Sequence, residues 1–517
     1  MKIKTVLNTV DRIKGAYGSW AFFFAFIAIT AVELSYVLGG LNWLDPVALL
    51  LIPAFILLII QIVSVCNAET KNYCVAFTIL IACLLFSFFH LSGIEIGTVG
   101  DQYHISKAVA FSIKNSFFTQ LQYGALDPQF YISDFIESLW GVFWRWTQGD
   151  FSIVLLQALP IILLWQQLTR FFEHQKIKAF QGILATVVVL TLEILWAQQG
   201  SPFIDSIVGI FIGINLLLCY TCLSPPYERR FSNLAGLAFV SGLCIISKPT
   251  GLCVGVLGLT IALVLGFRYF STLREKILLP MIALPSLVYF LYHQIQVFNQ
   301  NGSFFYPFVN FNNPSRVIDV TYPQLYDPLM FGAWIKEYAF NFKPLYVLSS
   351  WLSDYKMDSY ITPAPYIRGN GLVFTYFVLP TLVLWLFQHK NIIKNKWWKD
   401  PRLSIFAAIF IYYYSFEGSI DVRFALGYNI FILSWCLSYL FLCLQEWGLK
   451  WFKALPTIII CLLLVMSVGS YCDGIRGKRF EPHLISPFAI QKEIFPHLYS
   501  PDIRKYLIQK LLQEHPM

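Results

Sequence analysis

The stretch NLAGLAFVSGLCIISKPTGLCVGVLGLTIALVLGF, residues 233–267, carries one charged side chain, Lys248. An α-helix needs ~20 apolar residues to cross the ~30 Å hydrocarbon layer of a bilayer. This run is too long for one such crossing, and Ser247-Lys248-Pro249-Thr250 interrupts it. It therefore predicts two helices, 233–247 and 251–267, that meet in a tight turn at one membrane face. Comparable apolar runs recur along almost the whole chain, and spans are predicted near 18–40, 45–66, 74–92, 151–168, 181–197, 204–223, 277–297, 371–388, 403–416, 424–444 and 454–471 as well. The expectation is an all-α polytopic membrane protein of about thirteen transmembrane helices, with residues 1–471 forming the membrane domain.

Composition agrees with this reading. Of 517 residues, 57% are hydrophobic and 13% charged, about half the charge usual in a soluble domain. A soluble enzyme held by one anchor is excluded. The net charge of +8 does not by itself indicate a nucleic-acid partner, because Lys and Arg in short loops of a polytopic protein mark the cytoplasmic side. Alternate connections carry Arg170, Lys176 and Lys178; Arg229 and Arg230; Arg268, Arg274 and Lys276; Lys390 to Arg402; and Lys450 with Lys453. The N-terminus is thus expected in the cytoplasm. Lys2, Lys4, Arg12 and Lys14 precede a first span too long for the core of a cleavable signal. Most of the eleven cysteines fall inside apolar runs, as small hydrophobes, with no zinc-ligand spacing.

Alternation places two long loops, 93–150 and 298–370, on the external side, together with the tail 472–517. Connections of this length are commonly functional. In the first loop Phe135, Ile136, Leu139, Trp140, Phe143, Trp144 and Trp146 make an aromatic stripe suited to a helix lying in the membrane interface. The second, rich in Asn, Pro and Tyr, reads as ordered irregular structure over a cavity. The tail holds an amphipathic stretch near 502–513.

Ionisable residues near a bilayer are costly, so those gathered at one face are the first functional candidates. Asp101, within Gly100-Asp101-Gln102-Tyr103-His104, follows the third span; Asp205 opens the sixth; Lys248 sits in the turn described above; Glu417, Asp421 and Arg423 precede the twelfth. Four parts of the chain thus bring carboxylates and cations to the external face, where a base and a phosphate clamp could be built. Each residue also has a plainer reading: Asp205 as a helix N-cap, Lys248 as a snorkelling side chain, Arg423 as the ion-pair partner of Asp421 or Glu417. Gly209-x-x-x-Gly213 and Gly251-x-x-x-Gly255 suit close helix packing. The histidines are scattered, and only His104 lies near the acid cluster in sequence. Walker A, dinucleotide-binding, His-Glu-x-x-His and Gly-x-Ser-x-Gly sequences are absent.

Four of these blocks, in order, resemble GT-C-fold polytopic glycosyltransferases that use lipid-phosphate sugar donors, the group including protein O-mannosyltransferases and aminoarabinose transferases. Gly100-Asp101-Gln102-Tyr103-His104-Ile105-Ser106-Lys107-Ala108 is similar to that family's first external loop, and Ser201-Pro202-Phe203-Ile204-Asp205 to its second acid block. Ile245-Ile246-Ser247-Lys248-Pro249-Thr250-Gly251-Leu252 resembles its lysine-bearing break, and Asp421-Val422-Arg423-Phe424-Ala425-Leu426 its late Arg-aromatic motif. The blocks sample residues 100 to 430.

The resemblance implies a GT-C-like bundle in a membrane such as the bacterial inner membrane. It implies inverting transfer of a sugar from a polyprenyl phosphate to a hydroxyl of a lipid, glycan or protein acceptor. Asp101 would be the general base, Lys248 and Arg423 would neutralise the lipid phosphate, and Tyr103, His104 and Asp205 would orient sugar or acceptor. No cofactor is implied; Gln102 stands where the family has a second acid, so a divalent metal is not favoured. A transporter or flippase of a lipid-linked saccharide is the alternative, and a non-catalytic scaffold in envelope assembly is a third reading. A transporter should show broken helices with acids near mid-membrane and internal repeats; no repeat is visible, Glu33 and Glu193 within predicted spans could be structural hydrogen-bonders, and the external-edge acids and long loops favour an enzyme.

Overall fold

A computed structural model describes residues 135–137, 139–140, 151–192, 195, 204–224, 231–301, 356–357, 367–368, 372–388, 425–446 and 455–476. They are almost entirely helical. The helices are α1 (Phe151–His174), α2 (Ala179–Leu190), α3 (Asp205–Leu223), α4 (Phe231–Ser247), α5 (Pro249–Tyr269), α6 (Leu273–Asn301), α7 (Leu379–Gln388, entered through a π-helical turn Phe374–Val378), α8 (Leu426–Glu446) and α9 (Leu455–Arg476). The remaining element is a minimal antiparallel pair, β1 (Lys356–Met357) with β2 (Ile367–Arg368). The predicted spans at 18–40, 45–66, 74–92 and 403–416 and the tail helix lie outside the described residues.

Residues 233–267 fold as predicted, into the hairpin α4–α5. Its two helices touch backbone to backbone because the facing positions are glycines. A Cβ on Gly251 would lie 2.4 Å from the carbonyl oxygen of Cys244, and one on Gly255 2.6 Å from that of Ser241. The descending and ascending pairings also establish that the helices are antiparallel. At the start of α6 the Thr272 hydroxyl accepts from the Glu275 backbone N–H at 3.3 Å and donates to its carboxylate at 2.7 Å. Thr272 thus supplies a partner for one of the backbone N–H groups that lack an intrahelical one at the helix start.

Helix α3 is the axis of the described bundle. Every residue from Asp205 to Cys222 is buried, as expected of a helix apolar on all faces, and α1, α4, α5 and α8 pack around it. Against α4 the contacts run antiparallel: Asn215 Nδ2 donates to Ser241 Oγ at 2.8 Å, and Leu218 meets Gly236. Against α8 they run parallel, with Gly209 facing Leu426 and Gly213 facing Ile430. Gly427 lets α8 approach the carbonyl of Gly209, from which an added Cβ would be 2.6 Å away. The two glycine motifs thus act as packing positions.

The remaining directions follow in the same way. Helix α1 ends beside the end of α3, where the Phe171 and Tyr220 rings are 5.9 Å apart, so those two are parallel. Helix α6 turns back on α5 at Gly266 and Leu279 and lies along α4 where Gly242 meets Ser286. Trp385 meets Trp435 with ring centres 5.4 Å apart, and Gln388 Oε1 accepts from the Tyr439 hydroxyl, making α7 parallel to α8. Five helices, α1, α3, α5, α7 and α8, therefore run one way, and α4 and α6 the other. The ends joined by residues 302–371 lie at the same face of the bundle, and those joined by 389–424 at opposite faces.

This alternation sorts the charges. Arg170, Lys176, Lys178, Arg268, Arg274 and Lys276 all sit at one face, where α1, α3 and α5 end. Asp205 and Lys248 sit at the opposite face. Along α6, Ile277, Met281, Leu284, Val288, Leu291, Ile295 and Phe298 are all exposed, an apolar stripe about 32 Å long at 1.5 Å per residue. That length matches the hydrocarbon layer. Among the described residues four helices, Asp205–Leu223, Thr250–Tyr269, Leu273–Asn299 and Leu426–Leu444, are long and apolar enough to cross a membrane.

In two predicted segments the structure adds detail. Over the predicted span 181–197 one helix runs to Leu190, Thr191 and Leu192 break it, and Leu195 is helical again. At the break the Thr191 hydroxyl donates to the Val188 carbonyl at 2.8 Å and its backbone N–H is shared between Val187 and Val188. The described residues of the aromatic stripe beginning at Phe135 are helical and packed inside the protein. Phe135, Ile136, Leu139 and Trp140 are all buried, Glu137 with them, and Phe135 packs edge-on against Tyr289 of α6 at 5.9 Å.

Gly251→Ala is expected to cost about 1–3 kcal/mol, because the new methyl meets backbone that has no room to move. Gly236→Ala, whose Cβ would have ordinary contact with Leu218 at 3.9 Å, is expected to be neutral or slightly stabilising. Thermal unfolding of the two variants in detergent distinguishes them; equal melting temperatures would contradict the hairpin contact.

Candidate functional site

Lys248 precedes Pro249, and the proline ring disfavours helical geometry for the residue before it. Lys248 is accordingly extended, with φ −165° and ψ 153°, so α4 stops at Ser247. Pro249 then starts α5, at the position where its missing N–H costs nothing. The turn is closed by the Gly251 N–H donating to the Lys248 carbonyl at 2.9 Å, and Ser247 Oγ donates back to the Leu243 carbonyl at 2.5 Å. These local constraints hold the lysine at the tip of the hairpin.

Its ammonium group pairs with the carboxylate of Asp205, Nζ to Oδ1. Asp205 is not the N-cap of α3. Ile204 occupies that position and makes no side-chain cap, and Asp205 is the first helical residue. There its negative charge lies at the positive end of the helix dipole, while the carboxylate reaches across to α4–α5. The side chains of Asp205 and Lys248 are 5% and 14% exposed. At that burial an ion pair is retained because breaking it is costly, since the remaining charge has lost its hydration. Lys248 is therefore held by a neighbouring helix and does not simply extend toward the membrane surface.

The start of α8 lies beside this pair. Gly209 is one turn into α3, and Leu426, its contact, is the first residue of α8. Tyr428 and Asn429, in the first turn of α8, are both fully buried. The structure thus brings Asp205 and Lys248 together and sets the α8 start next to them. Asp101, Tyr103, His104 and Arg423, with Glu417 and Asp421, lie outside the described residues.

Some polar residues at this face were not singled out in the sequence. Glu137 is completely buried, and His293 of α6 is 1% exposed. An ionisable group inside an apolar run is a signal in its own right, and both could have been flagged on that ground. Among the described residues no group of three or more His, Cys, Asp and Glu side chains is arranged to hold a metal ion. The buried Cys219 donates to Asn215 Oδ1 at 3.4 Å, as part of the contact with Ser241. No protein-family model, curated protein or solved structure matches the chain.

Lys248→Met leaves the Asp205 carboxylate buried without its cation and is expected to destabilise the protein by about 3–5 kcal/mol. Adding Asp205→Leu should recover much of that loss, since an apolar pair needs no desolvation. A double-mutant cycle read by thermal unfolding measures the coupling, and additive losses would show that the two charges do not stabilise each other.

Proposed function

We propose that this chain is an integral membrane glycosyltransferase of GT-C type, with a bundle of about thirteen transmembrane helices. It moves a sugar from a polyprenyl phosphate to an acceptor hydroxyl. The face carrying Asp205 and Lys248 is external or periplasmic, the basic face is cytoplasmic, and a bacterial inner membrane is the setting. The observation that carries this reading is the Lys248–Asp205 pair, a fixed cation held in a largely buried site at the face opposite the basic residues. A lipid phosphate presented there would meet a positive charge already oriented and partly stripped of water. Preorganised charge of this kind favours a transition state in which negative charge grows on a departing phosphate.

In the proposed reaction the acceptor oxygen attacks the anomeric carbon as the bond from that carbon to the phosphate oxygen breaks. The electron pair leaves with the polyprenyl phosphate, stabilised by Lys248 and Arg423. The acceptor proton passes to the Asp101 carboxylate. A single displacement inverts the anomeric centre. Tyr103 and His104 orient sugar or acceptor, and Asp205 keeps Lys248 in place. The activated bond is supplied by the donor, so neither nucleotide nor cofactor is required.

Purified protein in nanodiscs should release polyprenyl phosphate from a polyprenyl-phosphate sugar when an acceptor is present. Asp101→Asn should reduce that rate by about 10²–10⁴-fold, the usual contribution of a positioned base. Folded Asp101→Asn protein with full activity would remove Asp101 from this role. Intact lipid-linked sugar moved between leaflets, with no phosphate released, would identify a flippase.

A further inference from the structure

We infer that His293 is a second phosphate-binding residue of the Lys248 site, an inference that rests on the proposed lipid-phosphate donor. Helices α4 and α6 run side by side in the same direction and touch where Gly242 meets Ser286. His293 lies seven residues beyond Ser286, which returns it to within about 20° of the same helix face and lifts it roughly 10 Å. Helix α4 ends at Ser247, five residues and roughly 8 Å beyond Gly242. His293 therefore stands on the stripe of α6 that faces α4, at the level where α4 stops and Lys248 begins.

Three further observations fit a polar site there. His293 is 1% exposed, although α6 offers its residues a lipid-facing side, where Leu291 and Ile295 lie. Gln294 Nε2 is 3.5 Å from His293 Nδ1, a contact in which Nδ1 can act as acceptor and leave Nε2 carrying the proton. The ion pair at the same level shows that charged groups are accommodated at this depth. An imidazole N–H and an ammonium group at one level of two adjacent helices would provide donors for different oxygens of one phosphate, which the lysine alone cannot offer.

The test compares binding of a radiolabelled long-chain polyprenyl phosphate with that of the corresponding polyprenol, which has no phosphate, to the full-length protein in nanodiscs. His293→Phe keeps a planar ring but no donor, and His293→Ala is measured beside it in case the larger ring is not accepted. The expected result is about a tenfold loss of affinity for the phosphate with polyprenol binding unchanged. Equal losses for both lipids would assign His293 a structural role, and no loss for either would remove it from the site; both overturn the inference. Lys248→Met, measured in parallel, separates the two levels of argument. If it lowers phosphate binding while the His293 variants do not, the donor reading stands and the inference fails. If the wild-type protein does not prefer the phosphate over the alcohol, the donor reading fails and the inference with it.

Discussion

Neither Asp205 nor Lys248 can be left alone where it sits. Each has given up most of its water, and an isolated charge in such surroundings costs several kcal/mol. Their contact therefore constrains the chain at three helix ends at once: the start of α3, the end of α4 and the start of α5. The requirement for Lys248 to reach Asp205 fixes how far the hairpin rises along α3. The same requirement leaves a cation stationed at one face of the bundle, where a small polar site can form.

The glycine contacts supply the rest of the geometry. Between α4 and α5, and again between α3 and α8, missing side chains let backbones meet, and close packing takes over the role that the hydrophobic effect plays in water. Because α3 is enclosed on every side, its contacts set the direction of its neighbours, and those directions carry the basic residues to one face. The charge sorting and the packing are thus two aspects of one arrangement. Asn215, Ser241 and Cys219 add a buried polar contact along the α3–α4 interface, satisfied internally as a bilayer demands.

Much of this was legible in the sequence where one local rule dominates. The spans corresponding to α3, α4, α5, α6 and α8 agree with the observed helices within a few residues, because length, apolarity and the Lys248-Pro249 break act locally. Within the span at 181–197 the break at Thr191 and Leu192 is not visible in hydropathy, because the apolar run continues past it. The stripe from Phe135 could not be placed from sequence, because aromatic residues suit a membrane interface and a packed core equally; its described part packs against Tyr289. His293 was passed over because its neighbourhood depends on which residue of α4 faces Ser286, a tertiary relation that spacing along the chain does not encode. Of the site itself, the pairing of Asp205 with Lys248 could be anticipated only as two charges at one face. That they bond, and that Ile204 and not Asp205 occupies the N-cap position of α3, required the folded arrangement.

The central claim is that the Lys248 end of the bundle receives a lipid phosphate. A cryo-electron microscopy structure of the protein in lipid nanodiscs, with a long-chain polyprenyl phosphate bound, tests it most directly. The account predicts phosphate density within about 4 Å of Lys248 Nζ, the ordinary reach of an ion pair. Phosphate density at the opposite face, among Arg268, Arg274 and Lys276, would contradict it.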